Sequence, residues 1–404
     1  MGRSLANNKV DINTIVVAID LGSSLTKVVW GTKGKTNFLT MEPEVIQCDR
    51  QHLDVYRGKR LQLKSSSAND AWINLNNNIS QSFVVGFLAS ILLAEANLKA
   101  PKYESALYKI LAVLGIIAEQ QQDRFDVALT TLLPYSEWTD QSKLKQEIEE
   151  AVKSFWFRGK RVRLRLRRCQ CLPEGLGITM SRYQDLSQNI PSSVVTLVFG
   201  HRNTSILEFQ RGVFSNANTT NLGFFRLIDQ VVELTSSQER NGLHEAIFKL
   251  GDPVDSNNPI LYQMCKSTTS DNQETETSEI IKAIQTAQEY YWTLINEWLQ
   301  SKLPKRIHEV VIAGGVAQYL KHKLRERLHG IDTYWGGDWQ DVICRDPSFQ
   351  KDHPNEEDRH ALAFRLIDAY TAYHFQIKTL IVESQEPQES LATQGSKEPV
   401  VSRT

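Results

Sequence analysis

The chain has 404 residues, a formal net charge of -1, 41% hydrophobic residues and 23% charged residues. These values are typical of a globular protein with room for two domains. The even charge balance argues against a protein that binds nucleic acid over a broad face. We expect no signal peptide and no membrane span, because the first residues are polar and the longest apolar run is short and contains Lys109. Five scattered cysteines indicate reduced thiols, and we expect a cytoplasmic protein.

The first informative segment, IVVAIDLGSSLTKVVW, predicts a β-hairpin with a polar turn. Gly22 permits a tight turn that brings backbone N–H groups close to an anion, and Ser23 and Ser24 add hydroxyl donors. Lys27 supplies a charge suited to a phosphate oxygen. Asp20, at the end of the first strand, is placed to hold Mg²⁺ through its water shell. By itself the segment is equally compatible with an ordinary surface hairpin.

The following region mixes strands with polar turns over residues 33–82 and predicts a small subdomain. Two helices are predicted over 83–98 and 103–122. A buried strand then ends at Pro134, and a helix is predicted over 135–152.

A strand rich in arginine comes next. Arg161, Arg163, Arg165 and Arg167 alternate with apolar residues, so one face of the predicted strand is basic. This face could bind nucleic acid or an acidic partner. We favour an exposed sheet face with acidic neighbours, because no aromatic residues interleave the arginines. Glu174 follows directly, in the short sequence LPEG.

A second strand–turn–strand unit, VVTLVFGHRNTSILEFQRG, places Gly200, Asn203 and Thr204 at its turn. His201 and Arg202 occupy the rest of the turn. Either side chain could contact a phosphate, or both could be solvated turn residues. The sequence supports these two interpretations equally.

The remaining elements are mainly helical. Residues 236–280 are polar and predict irregular structure with an exposed loop at 267–279, followed by a long helix over 279–302. A last helix is predicted over 359–380, and the polar segment after it is predicted to be disordered.

Between these helices, EVVIAGGVAQYLKHKLRERL predicts a buried strand, a glycine turn and a helix. Gly314 and Gly315 leave bare backbone against which a flat ligand such as a purine ring could lie. The helix that begins near Val316 favours negative charge at its N-terminus.

Over roughly residues 14–378 the chain resembles the actin/Hsp70/sugar-kinase ATPase superfamily, and most of all the plasmid-segregation actins of the ParM/StbA type. The resemblance lies in AIDLGSSLTKVVW for the first phosphate hairpin, LPEG for the connecting segment and VVIAGGVAQYLKHKL for the adenosine segment. It implies an actin-like α/β ATPase fold, in which two similar domains with ribonuclease-H-like cores and small inserted subdomains flank a nucleotide cleft. The implied boundaries are a flexible arm at 1–13, domain I at 14–182 with a subdomain at 33–82, domain II at 183–358 with a subdomain at 236–280, a helix at 359–382 that completes domain I, and a disordered tail at 383–404.

The resemblance also implies roles for individual residues, with ATP or GTP and Mg²⁺ as cofactors. Glu174 would orient the attacking water, and Asp20 would hold the hydrated metal. The second hairpin departs from the family pattern because no Asp opens its turn, so a second carboxylate near the metal is missing or supplied elsewhere. The implied nucleotide-binding residues are Gly22, Ser23, Ser24, Lys27, Gly200, His201, Asn203, Thr204, Gly223, Gly314, Gly315 and Val316.

The function implied is a filament-forming ATPase that moves plasmid DNA through a DNA-binding or other adaptor, without binding nucleic acid itself. The same polymer could instead organise cell shape or the cell interior. A non-polymerising chaperone-like ATPase or a kinase is a further alternative. A chaperone would need a folded peptide-binding domain that the polar tail is too short to form, and the missing Asp argues against a kinase. A nucleotide-binding protein that does not hydrolyse is also compatible with the atypical second hairpin.

Overall fold

The computed structural model describes residues 14–59, 65–75, 78–92, 102–121, 124–186, 190–235, 238–240 and 242–385. The strands in chain order are β1 (Ile15–Leu21), β2 (Thr26–Thr32), β3 (Lys35–Met41), β4 (Val45–Asp49), β5 (Trp72–Leu75), β6 (Asn78–Val85), β7 (Asp126–Leu133), β8 (Phe155–Phe157), β9 (Lys160–Val162), β10 (Arg165–Pro173), β11 (Ser193–Phe199), β12 (Thr204–Gln210), β13 (Val213–Thr220), β14 (Glu309–Ala313) and β15 (Asp332–Tyr334). The helices are α1 (Arg50–Lys59), α2 (Phe87–Ile91), α3 (Lys102–Gln120), α4 (Gln141–Ala151), α5 (Leu176–Leu186), α6 (Phe225–Leu234), α7 (Leu243–Leu250), α8 (Ile260–Met264), α9 (Ser270–Lys302), α10 (Val316–Tyr319), α11 (Lys321–Arg327), α12 (Gly337–Arg345), α13 (Pro347–Asp352) and α14 (Glu356–Gln385), with a 3-10 helix at Tyr135–Asp140.

The described strands form three five-stranded sheets, and two of these sheets have the same construction. The first sheet has the order β3-β2-β1-β7-β10, and the second has the order β13-β12-β11-β14-β15. In each, three antiparallel strands are followed by parallel strands on the other side of the first strand. The third sheet, β4-β6-β5-β8-β9, is antiparallel. The predicted mixed α/β fold class is therefore confirmed.

The first sheet is buried on both faces because its central strands alternate between two cores. Val17 and Ile19 of β1 face a core built with α3, whereas Val16 and Ala18 belong to a core shared with the second sheet and α14. Helix α14 lies against β1, β2 and β7, and also contacts α5 and α12. A buried hydrogen bond from Thr130 Oγ1 to Gln376 Oε1, at 2.8 Å, joins β7 to α14.

Several predicted elements are confirmed, and others are wrong. The irregular structure predicted over 236–280 is wrong where α7 and α8 form, because each helix packs apolar residues against its neighbours. The helix predicted over 83–98 is wrong at its start, because 83–85 complete β6 and Gly86 turns the chain with φ +71° before the short α2. Residues 93–98 lie outside the described part. The exposed loop predicted at 267–279 is wrong from Ser270 onwards, where α9 begins. Its polar residues are those of an exposed helix face, and Thr277 is the first buried residue of that helix.

The arginine-rich stretch is not one strand. Arg161 belongs to β9 of the third sheet, whereas Arg165 and Arg167 belong to β10 of the first sheet. Both of the latter side chains form ion pairs with Asp126 at 2.6 Å. This contact supports the interpretation as sheet residues with an acidic neighbour. All five cysteines are free.

Among the described helices, none combines the length and the apolar character that crossing a membrane requires. The arm at 1–13 and residues 386–404 of the tail lie outside the described part, and 383–385 belong to the end of α14. The domain boundaries stay a prediction.

A glycine inside α3 offers a test of this packing. A Cβ at Gly115 would lie 2.3 Å from Cγ of Phe157 on β8, so the ring would have to move. We expect Gly115→Ala to lower the free energy of unfolding by about 1–3 kcal/mol in urea denaturation. The matched control is Gly58→Ala in α1, where nothing lies within 4 Å of the added Cβ. That variant should be stabilised by up to about 1 kcal/mol through helix propensity. Equal effects of the two substitutions would contradict the packing.

Candidate functional site

A cavity of about 440 Å³ lies between the two hairpins, β1–β2 and β11–β12, and the glycine turn after β14. Its volume is in the range of small-molecule and cofactor sites. It collects most of the residues predicted from separate segments of the sequence. The predicted residues on its lining are Asp20, Gly22, Ser23, Ser24, Lys27, Glu174, Gly200, His201, Asn203, Gly314, Gly315 and Val316.

The first hairpin presents a tight turn to this cavity. A Cβ at Gly22 would lie 2.4 Å from the carbonyl oxygen of Leu25, so the turn has room only for glycine. Asp20 and Lys27 are register partners on β1 and β2, and their side chains form an ion pair that is 11% exposed at each residue. In this structure the two charges neutralise each other, so Asp20 and Lys27 would have to separate, at least in part, to bind a metal and a phosphate as predicted.

The second hairpin closes with a hydrogen bond from Gly200 N to Asn203 O at 2.9 Å. Two predicted residues lie behind the lining and support this turn. Thr204 is fully buried and donates to the carbonyl oxygen of Leu222 at 2.7 Å. Gly223 packs on the turn so closely that a Cβ would lie 2.2 Å from the backbone of Arg202. Neither residue lies on the cavity lining.

Arg202, the atypical residue of the second hairpin, reaches across to the first half of the chain. Its guanidinium forms a buried ion pair with Glu137 of the 3-10 helix and donates through Nε to Asn203 Oδ1 at 2.6 Å. The other oxygen of Glu137 accepts from Tyr103 N at 3.1 Å. The interpretation of Arg202 as a solvated turn residue is therefore wrong.

His201 lines the cavity, and its ring lies 5.5 Å from that of His244 on α7. Burial lowers the pKa of His201 to about 3, and the neighbouring His244 acts in the same direction. Because this pKa lies far below neutrality, the imidazole is neutral at pH 7. It can therefore offer a ring N–H or a lone pair, but no charge.

Glu174 lies at the junction of β10 and α5, where its backbone N–H donates to Leu133 O at 2.8 Å. Its carboxylate forms an ion pair with Lys102 at the start of α3. Burial raises the pKa of Glu174, whereas Lys102 acts to lower it. Sequence reasoning missed Lys102, which belongs to no recognisable motif.

Helix α14 supplies two charged residues that sequence reasoning also missed. Asp368 accepts hydrogen bonds from the backbone N–H groups of Gly175 at 2.6 Å and Ile178 at 3.1 Å. Burial raises the pKa of Asp368 to about 7. Arg365 donates from Nη2 to Ser24 Oγ at 3.1 Å, and its stem covers Gly315. Their spacing of three among apolar residues places both on one helix face, which was a signal in the sequence.

The carboxylates on the cavity lining suit a metal ion only if the ion keeps its waters and is also bound by phosphates. Within the described residues, no group of three or more His, Cys, Asp and Glu side chains could hold a metal ion. Mg²⁺ that is bound to phosphates needs only one or two carboxylates, often through its waters. Asp20 and Glu174 on the lining would therefore fit a hydrated Mg²⁺ that arrives with phosphates, whereas both oxygens of Asp368 are already held by backbone N–H groups.

Comparison with solved structures identifies the fold. The actin-like protein Alp7A matches with a TM-score of 0.58 and 13% identity, over 92% of this chain and 99% of that chain. A ParM from Clostridium botulinum, solved as a 15-stranded filament, matches with a TM-score of 0.55 and 15% identity, over 89% of this chain and 99% of that chain. This chain has the actin-like fold.

An archaeal actin homologue in complex with ADP also matches, with a TM-score of 0.52 and 14% identity, over 87% of this chain and 98% of that chain. No family model and no curated protein matches the sequence. The actin-like fold that the sequence predicted is thus confirmed by the structure.

The ion pair between Arg202 and Glu137 can be tested by double substitution. Arg202→Met leaves a buried carboxylate unpaired and should lower the free energy of unfolding by about 3–5 kcal/mol. Adding Glu137→Leu should restore much of this loss, because the uncompensated charge is removed. The control is Lys153→Met, whose exposed ion pair with Glu150 contributes at most about 1 kcal/mol. Urea denaturation of the four proteins decides. An Arg202→Met variant as stable as the control would contradict a structural role for this pair.

Proposed function

We propose that the protein binds a nucleoside triphosphate in the cavity and polymerises in response, forming a filament that moves or organises cargo. The observation that carries this proposal is the pairing of two tight hairpin turns, at equivalent places in two like sheets, across one cavity. Turns of this kind present backbone N–H groups to anions. The filament form of the ParM neighbour supports self-association.

Phosphates would be held by both turns. Ser23 and Ser24 offer hydroxyls from the first turn, and Gly200 and Asn203 lie on the second. The base would lie toward the turn at Gly314 and Val316. Mg²⁺ carried by the phosphates would supply charge neutralisation, with Asp20 facing its waters.

Hydrolysis would depend on Glu174 as the group that orients water. Its raised pKa brings the carboxylate closer to the range that suits a general base at neutral pH. Lys102 holds that carboxylate in place. A nucleotide-dependent polymer without hydrolysis is a second candidate, favoured by the same ion pair, which occupies Glu174, and by the missing Asp of the second turn.

Cargo would be attached by a separate adaptor, since the near-neutral net charge does not favour direct binding to DNA. Plasmid DNA is the cargo that the resemblance to ParM-type proteins suggests. The choice of ATP or GTP is left to experiment.

Polymerisation provides the direct test. We expect light scattering and pelleting to rise on addition of ATP or GTP with Mg²⁺ and to fall as phosphate is released. A rise that persists without phosphate release would favour the non-hydrolysing polymer. A flat signal across nucleotides and salt concentrations would overturn the filament proposal and favour a non-polymerising ATPase.

Glu174→Gln should separate binding from hydrolysis. The amide retains an oxygen for Lys102 but cannot accept a proton from water, so turnover should fall by roughly 100-fold or more. Nucleotide affinity should change little, and filaments should persist. Glu150→Gln, at an exposed carboxylate on α4, is the matched control. Normal phosphate release by Glu174→Gln would show that this residue only shapes the junction between β10 and α5.

A further inference from the structure

We propose that Arg365 is the anion receptor of the cavity: its guanidinium binds a phosphate of the nucleotide and in doing so uncovers Gly315. This inference rests on the proposed function, because it names the side chain that recognises the phosphate.

Arg365 differs from three other cations on the cavity lining, because it forms no ion pair with a described residue. Lys27, Lys102 and Arg202 line the cavity, and each forms an ion pair with a carboxylate. Lys249 also lines the cavity, but it is exposed to solvent.

Among the described residues, Arg365 has no carboxylate within ion-pairing distance, and its hydrogen-bond partner is the neutral hydroxyl of Ser24. Burial lowers the pKa of the Arg365 guanidinium. The charges of Asp20 and Glu245 act in the opposite direction from beyond ion-pairing distance, so the buried cation is only partly compensated. An anion that enters the cavity relieves the remaining penalty.

Helix α14 fixes Arg365 at the place where the two sides of the cavity meet. Phe364, Leu366 and Ile367 are buried on either side of it, so the helix cannot rotate to withdraw the side chain. The guanidinium reaches the first hairpin at Ser24. Its stem lies against the turn after β14, where a Cβ at Gly315 would come within 3.0 Å of the arginine Cγ.

The contact between Arg365 and Gly315 changes the role that the sequence predicted for this glycine. The sequence suggested bare backbone for a flat ligand, whereas in the structure the Arg365 stem covers this backbone. A ligand that lies on Gly315 must therefore displace the arginine. Displacement is favourable only if the ligand offers the guanidinium a better partner than the Ser24 hydroxyl.

A phosphate is such a partner. The guanidinium has five N–H donors in a planar fork, which matches two phosphate oxygens in a way that a lysine ammonium does not. Charge-assisted hydrogen bonds of this kind are stronger than bonds to a neutral hydroxyl. Phosphate binding and access to Gly315 are thus coupled through one side chain. The affinity for a nucleotide should therefore exceed the affinity for its nucleoside by more than charge attraction alone would give.

The test compares phosphate-bearing ligands with a ligand that lacks phosphate. Affinities for ATP, AMP, adenosine and inorganic tripolyphosphate are measured by calorimetry for the wild-type chain, Arg365→Met and Arg365→Lys. We expect Arg365→Met to weaken ATP, AMP and tripolyphosphate by about 10- to 100-fold, as the loss of hydrogen bonds to a charged group does. Arg365→Lys should fall between, because it keeps the charge and loses the fork. Adenosine should bind Arg365→Met no more weakly than it binds the wild type, since the methionine side chain lies over Gly315 without a hydrogen bond to Ser24 that a ligand must break.

Arg345→Met is the matched control, because it removes the same charge from an exposed position on α12. Circular dichroism of each variant checks that it is folded, and Arg365→Lys carries the test if Arg365→Met is not. Wild-type affinity for ATP in the Arg365 variants would overturn the inference and leave the proposed function intact. An equal loss for adenosine and ATP would also overturn it, since it would indicate a role in shape or base recognition. A wild-type chain that binds tripolyphosphate through Arg365 but binds no nucleotide would uphold the anion receptor and overturn the proposed function.

Discussion

The close contact between α5 and α14 is the constraint on which the cavity depends. A Cβ at Gly177 would lie 2.3 Å from the carbonyl oxygen of Asp368, so the two helices touch through backbone at this point. There the Asp368 carboxylate also accepts from the amides of Gly175 and Ile178. The chain passes from the first sheet to the second at this junction, and Glu174 lies beside it. The position of Glu174 therefore follows from helix packing, and the turn sequence LPEG does not set it alone.

Around this junction, pairs of opposite charges from different elements lie on or next to the cavity lining. Lys102 of α3 meets Glu174, Lys27 of β2 meets Asp20, and Arg202 of the second hairpin meets Glu137 of the 3-10 helix. Buried pairs of this kind add little net stability, because desolvation offsets their attraction, yet loss of one partner is strongly destabilising. Asp20–Lys27 lies within the first hairpin, whereas Arg202–Glu137 fixes the turn of the second hairpin against the 3-10 helix.

In the second hairpin, the absence of an Asp from the turn changes which residues supply charge to the cavity. A carboxylate is expected there from the resemblance, but Arg202 turns away toward Glu137. Asp368 of α14 is another carboxylate on the cavity lining, and burial raises its pKa to about 7. Its two backbone partners hold it in place as a structural group. Under the proposed function, metal binding and hydrolysis would rest mainly on Asp20 and Glu174.

The sequence by itself determined the features that local physics specifies. Each hairpin could be predicted, because strand-forming runs that flank a Gly-containing turn encode their own geometry. The glycine turn after β14 was likewise predictable from a buried strand followed by a helix. Local pattern failed at 83–85 and at 270–279, where an apolar run and a polar run were assigned to the wrong element because their partners are distant in sequence.

Only the tertiary structure decided which charges meet. Lys102, Asp368 and Arg365 lie within helices, and the spacing of the last two indicates only a shared helix face. Their roles therefore depend on the packing of α3 and α14 against the hairpins. Gly315 is a clear example, because a glycine in a turn does not indicate which distant side chain packs against its backbone. Here that side chain is Arg365. Periodicity and turn chemistry act over a few residues, whereas ion pairing across the cavity joins residues 65 to 72 positions apart, as in Arg202–Glu137 and Lys102–Glu174.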